Sequence, residues 1–310
     1  MKETFRIGTR GSKLALWQAQ YVAGLLKKAG SDCEIIPIQT KGDEWLGVSI
    51  SKIGSKGVFT REIEEKLFQG VIDIAVHSAK DLQSELSSGL EIIGFTEREK
   101  ANDVLVSHKD LNPEDLRGIK IGTSSVRRLA FLAKYYPKAK GVQMRGNLQT
   151  RINKMMSGDC DVLMLAYAGV NRMGKGDLIK RELPTDVFVP AVGQGSIAVE
   201  AHTSLQPTKW SIVREIVNHP PTETCITAER AFLKTMQGGC SVPVFALAGL
   251  IDQTITLTGG VISLDGQQIV KHTIQSSSQE PETVGKDLGK RVLESGGETI
   301  LQAVKSQMQN

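Results

Sequence analysis

Residues 122–151 read GTSSVRRLAFLAKYYPKAKGVQMRGNLQTR, and their arrangement decides how the rest of the chain is read. The same pattern occurs twice. An apolar strand end at residues 119–121 runs into Gly122, Thr123, Ser124 and Ser125, and a helical period follows through Leu129, Ala130, Leu132 and Ala133. A second strand end at residues 141–144 runs into Arg145, Gly146 and Asn147, and Leu148, Ile152 and Met155 continue as a helix. Small and hydroxyl residues at a helix start leave N–H donors free, and the helix dipole makes that end attractive to anions. Arginine is unfavourable there for the helix itself. Arg127, Arg128, Arg145 and Arg151 around two such ends therefore point to bound carboxylate or phosphate, which a planar guanidinium holds through paired hydrogen bonds. Either half alone reads as a solvated arginine pair beside ordinary caps; both together read as an anion site.

Working outward, residues 5–8 form a strand that leads through Thr9, Arg10, Gly11 and Ser12 into an apolar-periodic helix ending at Gly30. This is a third strand–arginine–helix junction, and a strand at 34–39 completes a βαβ unit. Residues 41–57, KGDEWLGVSISKIGSKG, have no clean period and suit a mobile loop able to cover a cleft. A helix at 59–68 and a buried strand at 71–76 deliver His77, Ser78, Ala79, Lys80 and Asp81 to the strand's carboxyl end. In open α/β sheets ligand groups gather at that end. After a strand at 90–95, the charged residues 97–103 cross into a second α/β unit over 104–190, with strands near Ile119, Val142 and Val162. The last of these opens into Gly169, Val170, Asn171 and Arg172. Residues 188–195 return, and 196–201 rejoin the first sheet. Two α/β lobes joined by two crossings make a hinged cleft.

Beyond His219, Pro220 and Pro221 the pattern changes to an α+β arrangement. Thr222 reads as the cap of a helix that ends at residues 237–240 with glycine at its C′ position. Alternating strands follow at 244–250, 254–264 and 268–274, with Asp265-Gly266 as a hairpin turn, and helices at 284–293 and 300–304 close the chain. The expected domains are 1–98 with 195–218, then 99–194, then 219–310.

At 310 residues two or three domains are natural, and a net charge of +4 without any Lys/Arg block gives no support for nucleic acid. No apolar run suits a signal peptide or a membrane span, so a cytoplasmic protein without membrane contact is expected. Cys33, Cys160, Cys225 and Cys240 show no C-x-x-C spacing, which argues against zinc and against a disulfide framework. Cys33, Cys160 and Cys225 read as apolar fillers. Cys240, in GGCSVP after a helix end, reads as an exposed nucleophile or attachment point. Asp81 is either a general acid/base or cation stabiliser facing a basic cleft, or the cap of the next turn; His77 reads as packed. No P-loop, dinucleotide fingerprint or metal-ligand cluster is present. Arg10, Arg127, Arg128, Arg145, Arg151 and Arg172 exceed what one small anion needs and suit a substrate with several carboxylates. Two other readings stay open: a solute-binding module for anions, and a thiol acyltransferase using Cys240 without an evident histidine partner.

The stretches TRGSKLALWQ, SKIGSKGVF, AVHSAKDL, GTSSVRR, RGNLQTR, PAVGQG and TAERAFLKTMQGGCSVP, in this order from Thr9 to Pro243, resemble the porphobilinogen deaminase (hydroxymethylbilane synthase) family. The resemblance implies two periplasmic-binding-protein-like lobes and a C-terminal α+β domain, acting as a monomer. The implied activity joins four porphobilinogens, with loss of ammonia, into a linear tetrapyrrole of haem biosynthesis. It further implies a dipyrromethane cofactor held by a thioether to Cys240 and a catalytic Asp81. Lys80, Asp81, Ser78, Thr123, Ser125, Arg127, Arg128, Arg145 and Gly146 fall at cofactor-binding positions. Arg10, Ser12, Gln18, Arg151, Arg172 and Gln194 fall at substrate-binding ones, and no metal is implied. Three positions depart from the family's usual residues: Gln83 where proline is common, Ser241 where glutamine is, and His202 in place of a basic residue.

Overall fold

The computed structural model describes residues 3–40, 60–238 and 242–309. The loop expected over 41–57 and the cysteine at position 240 lie outside the described residues.

The chain begins with β1 (Thr4–Arg10), α1 (Lys13–Lys28) and β2 (Asp32–Ile38), then α2 (Arg61–Phe68), β3 (Ile74–Ser78) and β4 (Leu90–Phe95). It crosses to a second lobe and forms β5 (Asp103–Val106), β6 (Lys120–Gly122), α3 (Val126–Tyr135), β7 (Lys140–Val142), α4 (Leu148–Met156), β8 (Val162–Ala166), α5 (Tyr167–Arg172) and β9 (Ile179–Glu182). It returns through β10 (Ile197–His202) and α6 (Pro207–Ile216). The C-terminal part is α7 (Pro220–Thr235), β11 (Val244–Ile251), β12 (Thr254–Ile262), β13 (Ile269–Ser277), α8 (Pro281–Val292) and α9 (Glu298–Gln309).

Two five-stranded sheets result, ordered β2-β1-β3-β10-β4 and β7-β6-β8-β5-β9, beside an antiparallel β11-β12-β13 meander. In the first lobe β1 runs parallel to β2 and β3, and β10 lies antiparallel between β3 and β4. In the second, β6 runs parallel to β7 and β8, and β5 lies antiparallel between β8 and β9. The strand that arrives from the other lobe is thus the antiparallel one in each sheet. The fold is two α/β lobes with a C-terminal α+β domain. The unanticipated strands are β5 and β9; the four residues of β5, DVLV, are all buried, as expected of a strand covered on both faces.

Local sequence explains the helix starts. Ser12 accepts a hydrogen bond from the Ala15 amide (3.3 Å), Ser125 from the Arg128 amide (3.5 Å) and Asn147 from the Thr150 amide (3.0 Å), so each junction is capped by its own side chain. Two cap readings are corrected. His219, not Thr222, occupies the N-cap of α7, with Pro220 in the first turn. Proline needs no amide partner there, and Thr222 Oγ1 instead accepts from the Arg98 amide at 3.1 Å. At the other end Gln237, not glycine, takes the left-handed conformation (φ 47°). A Cβ at Gly238 would lie 2.7 Å from Leu233 Cδ1, and that side-chain tip would have to move aside.

Packing joins the three parts. Phe131 of the second lobe lies 5.1 Å, ring to ring, from Phe245 of the C-terminal sheet, and both are fully buried; each contributes about 1.5–3 kcal/mol by leaving water. The Glu229 carboxylate on α7, fully buried, accepts both Arg98 Nη groups (2.7 and 2.8 Å), the Gly193 amide (2.8 Å) and the Ala248 amide (2.7 Å). One acid therefore ties both interlobe crossings to the third sheet.

Candidate active site

The first lobe's wall is built at the carboxyl ends of β1 and β3. β1 ends at Arg10, and Ser12 caps the helix that carries Gln18 inward, where Gln18 Nε2 donates to Ser78 Oγ at 2.9 Å. β3 passes into a short 3₁₀ turn, Ala79–Asp81, held by the Ala79 amide on the Ser196 carbonyl (3.0 Å). The turn leaves Lys80 half-buried and Asp81 exposed on the rim. Arg10, Ser12, Gln18, Ser78 and Asp81 line one small cleft.

The second lobe's wall is the two-junction stretch 122–151. Gly122 leaves room for its neighbours, since a Cβ would sit 2.8 Å from Cys160 Sγ. Thr123 is buried, its amide bonded to the Val142 carbonyl (3.0 Å), and Thr123 Oγ1 accepts from the Ser125 amide at 3.3 Å. Gly146 has φ 115°, which favours glycine, and brings half-buried Arg145 to the start of α4.

Arg127 and Arg128 converge on Asp103, at the start of β5. Arg127 Nη2 reaches Asp103 Oδ2 at 2.8 Å and its Nη1 donates to the Val189 carbonyl at 2.9 Å. Arg128 Nε and Nη2 reach Asp103 Oδ1 at 3.1 and 2.8 Å, and its Nη1 donates to the Met164 carbonyl at 3.0 Å. Although burial opposes ionisation, the two guanidinium groups and Gln194 hold the Asp103 carboxyl well below the usual carboxylate range. Gln194, on the return crossing, donates to Asp103 Oδ1 (3.0 Å) and the Ala101 carbonyl (2.6 Å) while Lys80 Nζ approaches its Oε1 at 3.3 Å. A continuous polar bridge thus runs from Lys80 in the first lobe to Arg128 in the second.

Burial, and then the charge of Arg128, push the Lys80 ammonium down to about 8. Arg151 is pushed down to about 10 by burial and by Arg128, with Asp81 acting in the opposite direction. Asp81 likewise favours the charged form of Lys80. The Nε atoms of Arg127 and Arg151 are buried and lack a hydrogen-bond partner among the described residues. Arg172 sits apart from this centre: its Nε binds Glu99 Oε2 at 2.9 Å, its Nη2 the Gly195 carbonyl at 2.7 Å, and its guanidinium lies 5.7 Å from the Trp17 ring. It joins α5 to both crossings and to α1.

Sequence reading brings Lys80, Asp81, Arg128, Arg151 and Gln194 to one centre, with Ser78, Gln18, Ser12 and Arg10 adjoining. It missed Asp103, whose sole signal is an acid directly before an apolar run, and Glu99 and Glu229, which meet partners far along the chain. His77 is packed: its Nε2 lies 3.1 Å from Glu200 Oε2, both side chains being buried. Burial raises the Cys160 and Cys225 thiols to about 11, as suits quiet core fillers.

These features define a class: a two-lobed α/β enzyme fold whose cleft gathers guanidinium groups around one exposed carboxylate, braced by a third domain. The chain belongs to the porphobilinogen deaminase family. A family model described as "Porphobilinogen deaminase, dipyromethane cofactor binding domain" matches residues 5–209, and one described as "Porphobilinogen deaminase, C-terminal domain" matches 223–294. Similar relatives named porphobilinogen deaminase come from Cytophaga hutchinsonii (52% identical, covering 98% of each chain) and Desulfosudis oleivorans (52% identical, covering 97% of this chain and 98% of the relative). Among solved structures, the periplasmic VFT2 domain of Bordetella pertussis BvgS is similar at TM-score 0.43 and 17% identity, covering 69% of this chain and 86% of that one.

Proposed function

We propose that Asp81 is the catalytic carboxylate of this family's reaction in this chain, the condensation of four porphobilinogens with loss of ammonia into a linear tetrapyrrole. The observation that supports this role is its position: an exposed carboxylate next to Lys80 that lines one cleft with Arg10, Ser12, Gln18 and Ser78. Each porphobilinogen bears an acetate and a propionate. The substrate's aminomethyl group reacts as its ammonium form, so when the C–N bond breaks ammonia leaves with the electron pair and the ring keeps the positive charge. The Asp81 carboxylate stabilises that cation through space. When the new C–C bond forms, the attacked pyrrole carbon loses a proton, which the same carboxylate accepts and passes to water.

The cofactor named by the matching domain suits these residues. Arg151 and Arg127 each keep a buried Nε without a partner among the described residues, and carboxylate acceptors answer such donors. Arg128, Arg145, Arg151, Lys80, Thr123, Ser125 and Ser78 would hold its acidic arms, with Arg127 and Gly146 shaping that wall. Bound, the dipyrromethane supplies the carbon to which the first substrate is joined. Arg10, Ser12, Gln18 and Gln194 orient the incoming ring. Arg172 is assigned to the substrate side, controlling the angle between the lobes through Glu99 and Gly195. The lobes are divided as 1–98 with 195–218, 99–194 and 219–310.

The attachment is tested by intact-protein mass. The active protein should exceed its sequence mass by one dipyrromethane, react with Ehrlich's reagent, and lose both properties in Cys240→Ser. An active preparation of unmodified mass would end the reading. No helix among the described residues is long and apolar enough to cross a membrane. A monomer in the cytoplasm, without nucleic acid, completes the proposal; sedimentation checks the monomer.

A further inference from the structure

One face of α7 follows the backbone around Asp81. Ile226, Arg230 and Lys234 recur at intervals of four, so they share a stripe. Ile226 packs in a small buried cluster with Ala79 and Leu82, the residues on either side of Lys80 and Asp81. One turn on, Arg230 Nη2 donates to the Gln83 carbonyl at 2.8 Å and the Ser84 carbonyl at 3.4 Å. A further turn on, Lys234 Nζ lies 2.9 Å from Glu85 Oε1.

The middle contact matters most. Burial pushes the Arg230 guanidinium below its ordinary value while Glu200 acts to keep it charged. Glu200 is fully buried, and its Oε2 lies 3.1 Å from His77 Nε2. A buried guanidinium that lost these acceptors would be left desolvated without compensation, so the carbonyls it holds are fixed. From the opposite side the Gln83 amide reaches Glu64 Oε1 and Thr60 Oγ1, each at 3.4 Å. At this position, where the family resemblance would put proline, the turn is thus held by hydrogen bonds from two elements.

We propose that Arg230 is a positioning residue for Asp81: the C-terminal domain, through α7, sets where the rim carboxylate stands. The inference rests on the catalytic reading of Asp81 given above.

The test uses the full-length, cofactor-loaded protein with Arg230→Gln and Arg230→Lys. Hydrogen exchange of residues 79–87, kcat and KM for porphobilinogen, and cofactor loading by intact mass are measured on each. Arg230→Gln should keep its cofactor, exchange faster over 79–87, and lose roughly ten- to a hundred-fold in kcat with KM changed little. Arg230→Lys keeps the charge opposite Glu200 and should recover part of both losses. Wild-type exchange over 79–87, an unchanged kcat, or a kcat that falls only with the loaded fraction would overturn the proposal. If Arg230→Gln does not fold, Arg230→Lys carries the same criteria, with an expected loss of a few-fold. Asp81→Asn separates the two claims. Should it retain turnover, the reading of Asp81 fails; should it be inactive while both Arg230 variants behave as wild type, only the present inference fails.

Discussion

The two lobes share one strand order and differ in the charge they present. In the first, the β3 end delivers Lys80 and then the exposed Asp81; in the second, β6 and the segment after β7 deliver Arg128, Arg145 and Arg151. Parallel strands with capped helices fix where side chains gather, at the carboxyl edge of each sheet. They do not fix the sign of what gathers there. The second lobe can hold several guanidinium groups because Asp103, delivered by the crossing strand, neutralises part of them from behind. The first lobe's crossing strand delivers Glu200 instead, which pairs with His77 within the core. One architecture therefore provides an anion-holding wall and an opposing acid.

Breaking the acid side should have the largest effect. Asp81→Asn is expected to lower kcat by at least about 10³-fold, with cofactor mass unchanged, because it removes a charge from the reacting centre. Near-normal turnover of loaded protein would remove the contrast between the lobes. On the other wall, Asp103→Asn leaves two buried guanidinium groups without their acid, and urea unfolding should show a loss of about 3 kcal/mol. An unchanged midpoint would mean that the pair is not a structural unit.

A subtler comparison concerns the junction glycines. Gly146 has φ 115° and a Cβ would lie 2.7 Å from Thr150 Cγ2, whereas Gly11, in the first lobe's junction, has nothing within 4 Å. Gly146→Ala should cost about 1–2 kcal/mol, and Gly11→Ala should stay within about 0.5 kcal/mol. Equal costs would show that the junctions are not built differently.

A separate effect lies in pH dependence. Lys80 titrates near 8 when folded, against an ordinary 10.5. The unfolded chain therefore binds more protons between those values, so the destabilisation from Lys80 is full below about 8 and fades as pH rises toward 10.5. Stability relative to Lys80→Met should accordingly rise across that window in denaturant titrations. Losing this positive charge should also lower kcat/KM for an anionic substrate by roughly four-fold between pH 7 and pH 8.5. Lys80→Gln should abolish that limb.

The junctions were legible because a helix cap closes within three residues: Ser12 to Ala15, Ser125 to Arg128, Asn147 to Thr150. Three such signals, each after an apolar run, sufficed for parallel sheets, a cleft and the arginines placed along it. Asp81 stood out for the same local reason, as an acid just beyond a buried strand. By itself, then, the sequence determined the elements, their capped starts, and the residue types placed at each strand end. Only the tertiary structure decided which charges face one another. Asp103 meets arginines 24 and 25 residues away, and Glu229 meets Arg98 across 131. Chain separations of that size carry no periodic or capping signal, because the partners become neighbours only after the crossing strands have inserted and the lobes have packed on α7.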